Sequence, residues 1–262
     1  MATIIIGAVL IVLGVVLSLV VSTKIKNKNI EIQFMKTTSI GELKKNLKEN
    51  EAQGLSGYRE FAELKGLADA DSPYKTPYSE KDVAYYDADI YQVFEEVETY
   101  TDENGTHQRV KRNETLMSNQ KTPGPIVLKD AETGDKAYIE LLNHGMQLDT
   151  VKTLDKFEPV NMMQQYNFFT GFHYNPMGVK TLGFRMVEKS IPLGQPLYVL
   201  GDAYMENSRL TISKPVDTKK PYIVSVKNET DLVHGNKVGA NMALYGGIVL
   251  AVIGLAVIIF VH

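Results

Sequence analysis

The side chains able to move protons or hold metal in this sequence are His107, His144, His173, His234 and His262, with paired carboxylates at Asp87 and Asp89. No two histidines stand at the short spacings that put two imidazoles on one helix face or turn, so no metal motif forms among them. His173 lies in FFTGFHYNPMG, a loop-like aromatic setting, with no serine or carboxylate motif beside it. Asp87 and Asp89 alternate around Ala88, so on a strand both point the same way. Such a pair can do acid–base work or hold a hard cation, but more often it is a solvated strand face. The chain contains no cysteine, which removes thiolate nucleophiles, disulfides and zinc sites built on Cys. Phosphate loops, dinucleotide fingerprints and nucleophile elbows are likewise missing from its motifs. The expectation is therefore no catalytic residue, no cofactor and no metal. An unrecognised hydrolase or metal-dependent enzyme centred on His173 with Asp87 or Asp89 is the rival.

The densest non-catalytic feature is MMQQYNFFTGFHYNPM at 162–177. Met162, Met163, Tyr166, Phe168, Phe169, Phe172 and Tyr174 make either core packing, a belt at a bilayer interface, or an adaptable apolar surface for a partner. A net charge of -3 and a pI near 6.0 leave no electrostatic footprint for nucleic acid. The sequons at Asn104, Asn113 and Asn228 matter only if the domain is secreted in a eukaryote.

These residues are framed by two uncharged apolar runs, 2–22 and 238–261, while the mean hydropathy of the whole is only -0.14. A hydrocarbon core of about 30 Å needs roughly 20 apolar residues in a helix, and each run is that long. A cleaved signal peptide fits the first run poorly, because the basic n-region is missing and the run exceeds a signal's apolar length. Residues 23–237 then form one soluble domain between two membrane helices. Lys24, Lys26, Lys28 and Lys36 follow the first helix, and Lys219, Lys220, Lys227 and Lys237 precede the second. The positive-inside rule puts the domain in the cytoplasm and both termini across the membrane. Small residues four apart line each helix: Gly14, Ser18 and Ser22 in the first, and Gly239, Ala243, Gly247 and Ala251 in the second. Paired antiparallel, Ser22 meets Gly239, Ser18 meets Ala243 and Gly14 meets Gly247, unless the stripe serves a homo-oligomer instead.

Within the domain, Ser39 and Glu42 form a capping box for a helix from about Ile40 to Asn50, with Leu43 and Leu47 on its apolar stripe. Residues 23–34 read as a basic stretch beside the membrane. From Tyr58 the pattern turns to strands, at 82–100, 126–128, 137–141, 180–189, 197–203 and 209–213. A short helix is expected over 146–155. VETYTDENGTHQRVKR predicts a hairpin turning on Asn104-Gly105, which sets Glu98 opposite Lys111 and Tyr100 opposite Arg109. The fold class is α+β: a mainly antiparallel, barrel- or sandwich-like β domain with one or two short helices, flanked by two transmembrane helices.

Three stretches give the chain a likeness. LKGLADADSPYKTPYSEKDVAYYDADI carries Gly66, Pro77, Ser79 and Tyr85-Tyr86; an acidic strand and basic return strand follow as FEEVETYTDENGTHQRVKR. LGFRMVEKSIPLGQPLYVLGDAYMENSRLTISK carries Glu188, Ile191-Pro192, Gly194 and Val199-Leu200-Gly201. With the helix–domain–helix layout, this resembles the GIDE (beside-a-membrane) domain family, which includes mitochondrial outer-membrane E3 ubiquitin ligases. The resemblance implies a β-rich module at a membrane, in those relatives facing the intermembrane space, with roles such as membrane stress or quality control. The ligases add a RING finger that needs Cys and His to hold two zinc ions, and no cysteine is present here. The expected partners are the lipid bilayer and a membrane or membrane-proximal protein.

Overall fold

The computed structural model describes residues 2–55, 57–103, 105–141, 145–161 and 179–260. The whole 162–177 segment, with Met162, Met163, Tyr166, Phe168, Phe169, Phe172, His173 and Tyr174, lies outside them, as does His144. The chain divides into two compact units. One comprises residues 1–66, 130–149 and 196–262, and the other 67–129 and 150–195.

In the first unit the N-terminal helix runs unbroken from α1 (Ala2–Val15) through a π-helical segment (Val16–Val21) into α2 (Ser22–Phe34). The basic stretch at 23–34 is thus helical, continuing the apolar helix by about 20 Å at 1.5 Å per residue. Helix α3 (Ile40–Ala52) begins where its capping box places it, the Ser39 side chain accepting from the Glu42 amide at 3.2 Å. Its stripe Ile40, Leu43 and Leu47 is buried. Helix α4 (Glu229–Phe260) starts inside the basic flank as well. Asn228, one of the three sequons, accepts from the Asp231 amide at 2.8 Å and so caps it.

The strands wholly within this unit are β6 (Lys136–Ile139), β7 (Gln147–Asp149), β10 (Pro196–Glu206), β11 (Arg209–Ser213) and β12 (Ile223–Ser225), in the order β6-β11-β10-β12-β7. Antiparallel pairing joins β10 to β11 and β12, whereas β6 and β7 run parallel to β11 and β12. One core cluster ties helices to sheet: Ile32 of α2 and Leu232 and Val233 of α4 pack with Tyr198 and Leu200 of β10 and Ile223 of β12.

The second unit is built around the long strand β3 (Asp82–Asp102). One edge takes β4 (Gly105–Lys121) and the short β2 (Tyr74–Lys75); the other takes β9 (Val179–Pro192), which in turn pairs β8 (Val151–Pro159). All these pairings are antiparallel. The end of β1 (Glu60–Asp69) pairs β5 (Ile126–Lys129). Ile90, Phe184 and Met186 form the buried centre.

Two local expectations change. Residues 146–155 form β7 and the start of β8 rather than a helix, since their β-branched residues and alternation suit a pleated surface. The β3–β4 hairpin pairs Asp102 with Gly105, so Glu98 faces Arg109, Glu96 faces Lys111 and Tyr100 faces His107. The register moves by two residues, which keeps every side chain on its expected face. Opposite charges remain matched where Arg109 reaches Glu98 at 2.8 Å, and the His107 ring lies 3.2 Å from the Asp102 carboxylate.

Candidate functional site at the foot of the helix pair

The two long helices pack antiparallel, and their contact is drawn by glycine. A Cβ on Gly14 would press into the Gly247 carbonyl oxygen and lie 2.7 Å from the Ala251 nitrogen. A Cβ on Gly247 would meet the Gly14 oxygen at 2.5 Å and the Ser18 nitrogen at 2.7 Å. Gly7 and Gly254 make the same close approach one level further on, the Gly254 Cβ position falling 2.6 Å from the Gly7 oxygen. Gly14, Ser18 and Gly247 are therefore brought together. Ser22 is buried, Ala243 is half-buried, and Gly239 has only the Ile25 side chain near it, at 4.0 Å.

The buried line differs from the four-residue line read from the sequence. In α4 it follows sevens: Val233, Ala240, Gly247 and Gly254. A four-residue step on a helix of 3.6 residues per turn drifts by about 40°, so such a line leaves the interface within three steps. A seven-residue step drifts by only about 20°, and holds the seam through the whole length. In the first helix, apart from Ile32 in the core against the sheet, the buried positions among the described residues are Gly7, Gly14, Ser22 and Asn29, spaced seven, eight and seven. The extra residue falls in the π segment Val16–Val21, whose i→i+5 bonding takes in one residue more per turn. Without that insertion position 21, not the small Ser22, would face α4.

At the base of this pair a polar cluster sits under α4. Glu63 of β1 is 1% exposed, yet its carboxylate is fully engaged. It accepts from the Tyr198 hydroxyl at 2.9 Å, from the Thr37 hydroxyl at 2.5 Å and from the Lys65 ammonium at 3.0 Å. Lys65 also reaches Glu229, in the first turn of α4, at 3.0 Å. Burial alone would lower the Lys65 ammonium, but its hydrogen bonds to Glu229 and Glu63 outweigh this and raise it above the ordinary lysine value. Burial, with the adjacent Glu63 charge, raises the Tyr198 phenol as well. These contacts make a latch between α4, β1 and β10.

In the second unit Glu188 of β9 is 0% exposed. It accepts from the Tyr78 amide at 2.6 Å, the Ser79 amide at 3.1 Å and the Ser79 hydroxyl at 2.5 Å. The turn it clamps is closed by the Thr76 amide donating to the Lys81 oxygen at 2.9 Å. Ser79 and Glu188, far apart in the chain and both part of its family likeness, thus meet as one buried contact. The Asp87 and Asp89 carboxylates do share a face, and Asn119 bridges them with two bonds of 2.6 Å while Lys121 pairs with Asp87 at 3.0 Å. No group of three metal-ligating side chains occurs among the described residues. His107 stands at the exposed hairpin end, and His234 on the exposed side of α4.

Fold and contacts together define a class: a β-rich body fused through a shared core to an antiparallel pair of long apolar helices. The family follows from comparison. The model of the GIDE family, described as E3 Ubiquitin ligase, matches residues 95–259, well over half of the 262, and the chain belongs to that family. No curated protein and no solved structure matches it.

Proposed function

We propose that this GIDE protein is a two-pass membrane protein, and that its β-rich domain is a non-catalytic module that holds a partner protein at the bilayer surface. The observation that carries the reading is the outward face of the helix pair. Ile5 is 63% exposed, Val12 62%, Val252 61% and Phe260 82%, on two helices long and apolar enough to cross a membrane. Large apolar side chains in such continuous array are costly in water and at home in lipid. The two helices meet through backbone contacts at glycine, the mode of association that works where lipid removes any hydrophobic drive between helices.

The lysines flanking both helices on the domain side favour a cytoplasmic domain. The ligase description of the family is not carried over as an activity, because the cysteines of a RING are missing from these 262 residues. Partner binding is assigned to the Met-aromatic segment, Met162, Met163, Tyr166, Phe168, Phe169, Phe172 and Tyr174, on its composition. Proximity labelling from membranes, with the whole chain, tests the reading. One dominant labelled protein should be lost when Phe168 and Phe169 are both changed to Ser, and kept in His173→Ala and Asp87→Ala. Loss of function in a folded His173→Ala protein would overturn the non-catalytic reading in favour of an enzyme.

A further inference from the structure

Where the first helix emerges from its uncharged run, the first unit holds an open cavity of about 810 Å3. Three chain segments converge on it, and five of its thirteen lining residues are lysine: Lys24 and Lys28 from α2, and Lys214, Lys219 and Lys220 from the connection between β11 and β12. No lining residue is acidic. Among the described residues, no carboxylate lies within ion-pair distance of any of the five. Lys28 donates to the uncharged Gln147 side chain, and Lys220 stands 4.6 Å over the Phe61 ring. The neighbouring carboxylate, Asp149, is already taken by Ser225 and Gln147 at 2.8 Å each and by Lys227 at 3.5 Å. Five ammonium groups around one cavity repel each other, and an anion placed among them relieves that repulsion.

Depth decides which anion. Lys24 follows Val21, the last apolar residue of that run, by three residues, and Lys28 by seven. At a rise of 1.5 Å per residue these side chains begin roughly 5–10 Å beyond the hydrocarbon edge, the thickness of the headgroup layer. Ile30 of the same helix also lines the cavity, giving an apolar wall next to the cationic one. We propose that this cavity binds the phosphate-bearing headgroup of one anionic phospholipid, whose tails run down the first helix. The proposal rests on the membrane reading above. It makes the protein's footing on the bilayer lipid-specific: the Lys24 and Lys28 side chains read the headgroup from the helix, and Lys214, Lys219 and Lys220 close over it from the sheet.

The test uses the full chain in phosphatidylcholine vesicles carrying a minor fraction of phosphatidylglycerol. Flotation reports insertion, and native mass spectrometry after release into neutral detergent reports which lipid stays bound. The wild type should float and retain phosphatidylglycerol enriched by about tenfold or more over its share in the vesicle. The combined Lys24→Gln, Lys214→Gln, Lys219→Gln variant, changed only at exposed lysines, should float and lose that enrichment. The combined Lys44→Gln, Lys45→Gln, Lys48→Gln variant removes as much charge from α3 and should keep it. Equal loss in both variants, no enrichment in a wild type that floats, or displacement of the lipid by millimolar inorganic phosphate would each overturn the headgroup site. A wild type that fails to float with pure phosphatidylcholine would overturn the anchor, and this site with it.

Discussion

Glu188→Ala removes a fully buried carboxylate and strands three half-buried donors of the 76–81 turn, and should cost about 3 kcal/mol; Ser79→Ala removes one bond and should cost about 1 kcal/mol. Denaturant midpoints of the two variants give the comparison, and equal losses would mean that the turn contributes only through Ser79. Burial, then the nearby Asp87 charge, pushes the Tyr85 phenol up to about 12 from an ordinary 10.0. A group raised in the fold stabilises fully below its unfolded value, so this contribution is intact at neutral pH and is lost between about pH 10 and 12. Tyr78, Tyr198 and Tyr222 are raised in the same direction, chiefly by burial. Melting temperature should therefore hold steady up to about pH 10 and fall beyond it, and Tyr85→Phe should fall less steeply. Ser79 and Glu188 are legible in the sequence as parts of a family pattern but not as partners, because 109 residues separate them and nothing local joins a strand carboxylate to a distant turn. Nothing in the sequence marks Glu63. A lone Glu in a strand reads as a solvated face, and only the convergence of Thr37, Lys65 and Tyr198 makes it a buried centre.

Among the elements, the helix seam is where sequence and structure differ most usefully. Gly14 and Gly247 are recognisable as small residues able to bring backbones together, and they do so. The seam of the first helix is not, because the π segment displaces it by one residue, so no single spacing follows it from Gly14 to Ser22. The hairpin of β3 and β4 shows the reverse. Alternation finds both strands and the correct faces, and the expected turn centre lies one position off, because both registers pair opposite charges and charge alone does not choose between them. Neighbouring glycines give a sharp test of the seam. A Cβ on Gly246 would meet nothing within 4 Å, so Gly246→Leu should leave the pair unchanged. Gly247→Leu would press on the Gly14 oxygen and Ser18 backbone, and should destabilise the pair by about 2 kcal/mol or more. Disulfide trapping of Ser18→Cys with Ala243→Cys, which adds no side chain at a seam glycine, reads this directly, since the chain has no other cysteine. Intramolecular linkage should survive Gly246→Leu and drop in Gly247→Leu. Linkage between two chains instead would identify the stripe as an oligomer interface.

For the molecule as a whole, an apolar helix pair joins a β-rich body through one core in which Ile32, Leu232 and Val233 meet Tyr198, Leu200 and Ile223. The α+β class, the two end helices and the GIDE membership are all legible in the sequence. The division of the β body into two units is not, because each unit is assembled from segments that alternate along the chain. Sidedness is open to a reporter inserted at Gly105 and another fused after residue 262: the flanking lysines predict cytoplasmic behaviour at the first and exported behaviour at the second. The most direct measurement of the central claim is alkaline carbonate extraction of membranes from cells that make the whole chain, followed by flotation. The account predicts that the protein stays in the membrane fraction after carbonate and rises with the lipid. Release into the carbonate supernatant as a folded soluble protein would contradict it, and would mean that the outward apolar faces of α1 and α4 are covered by protein instead of lipid.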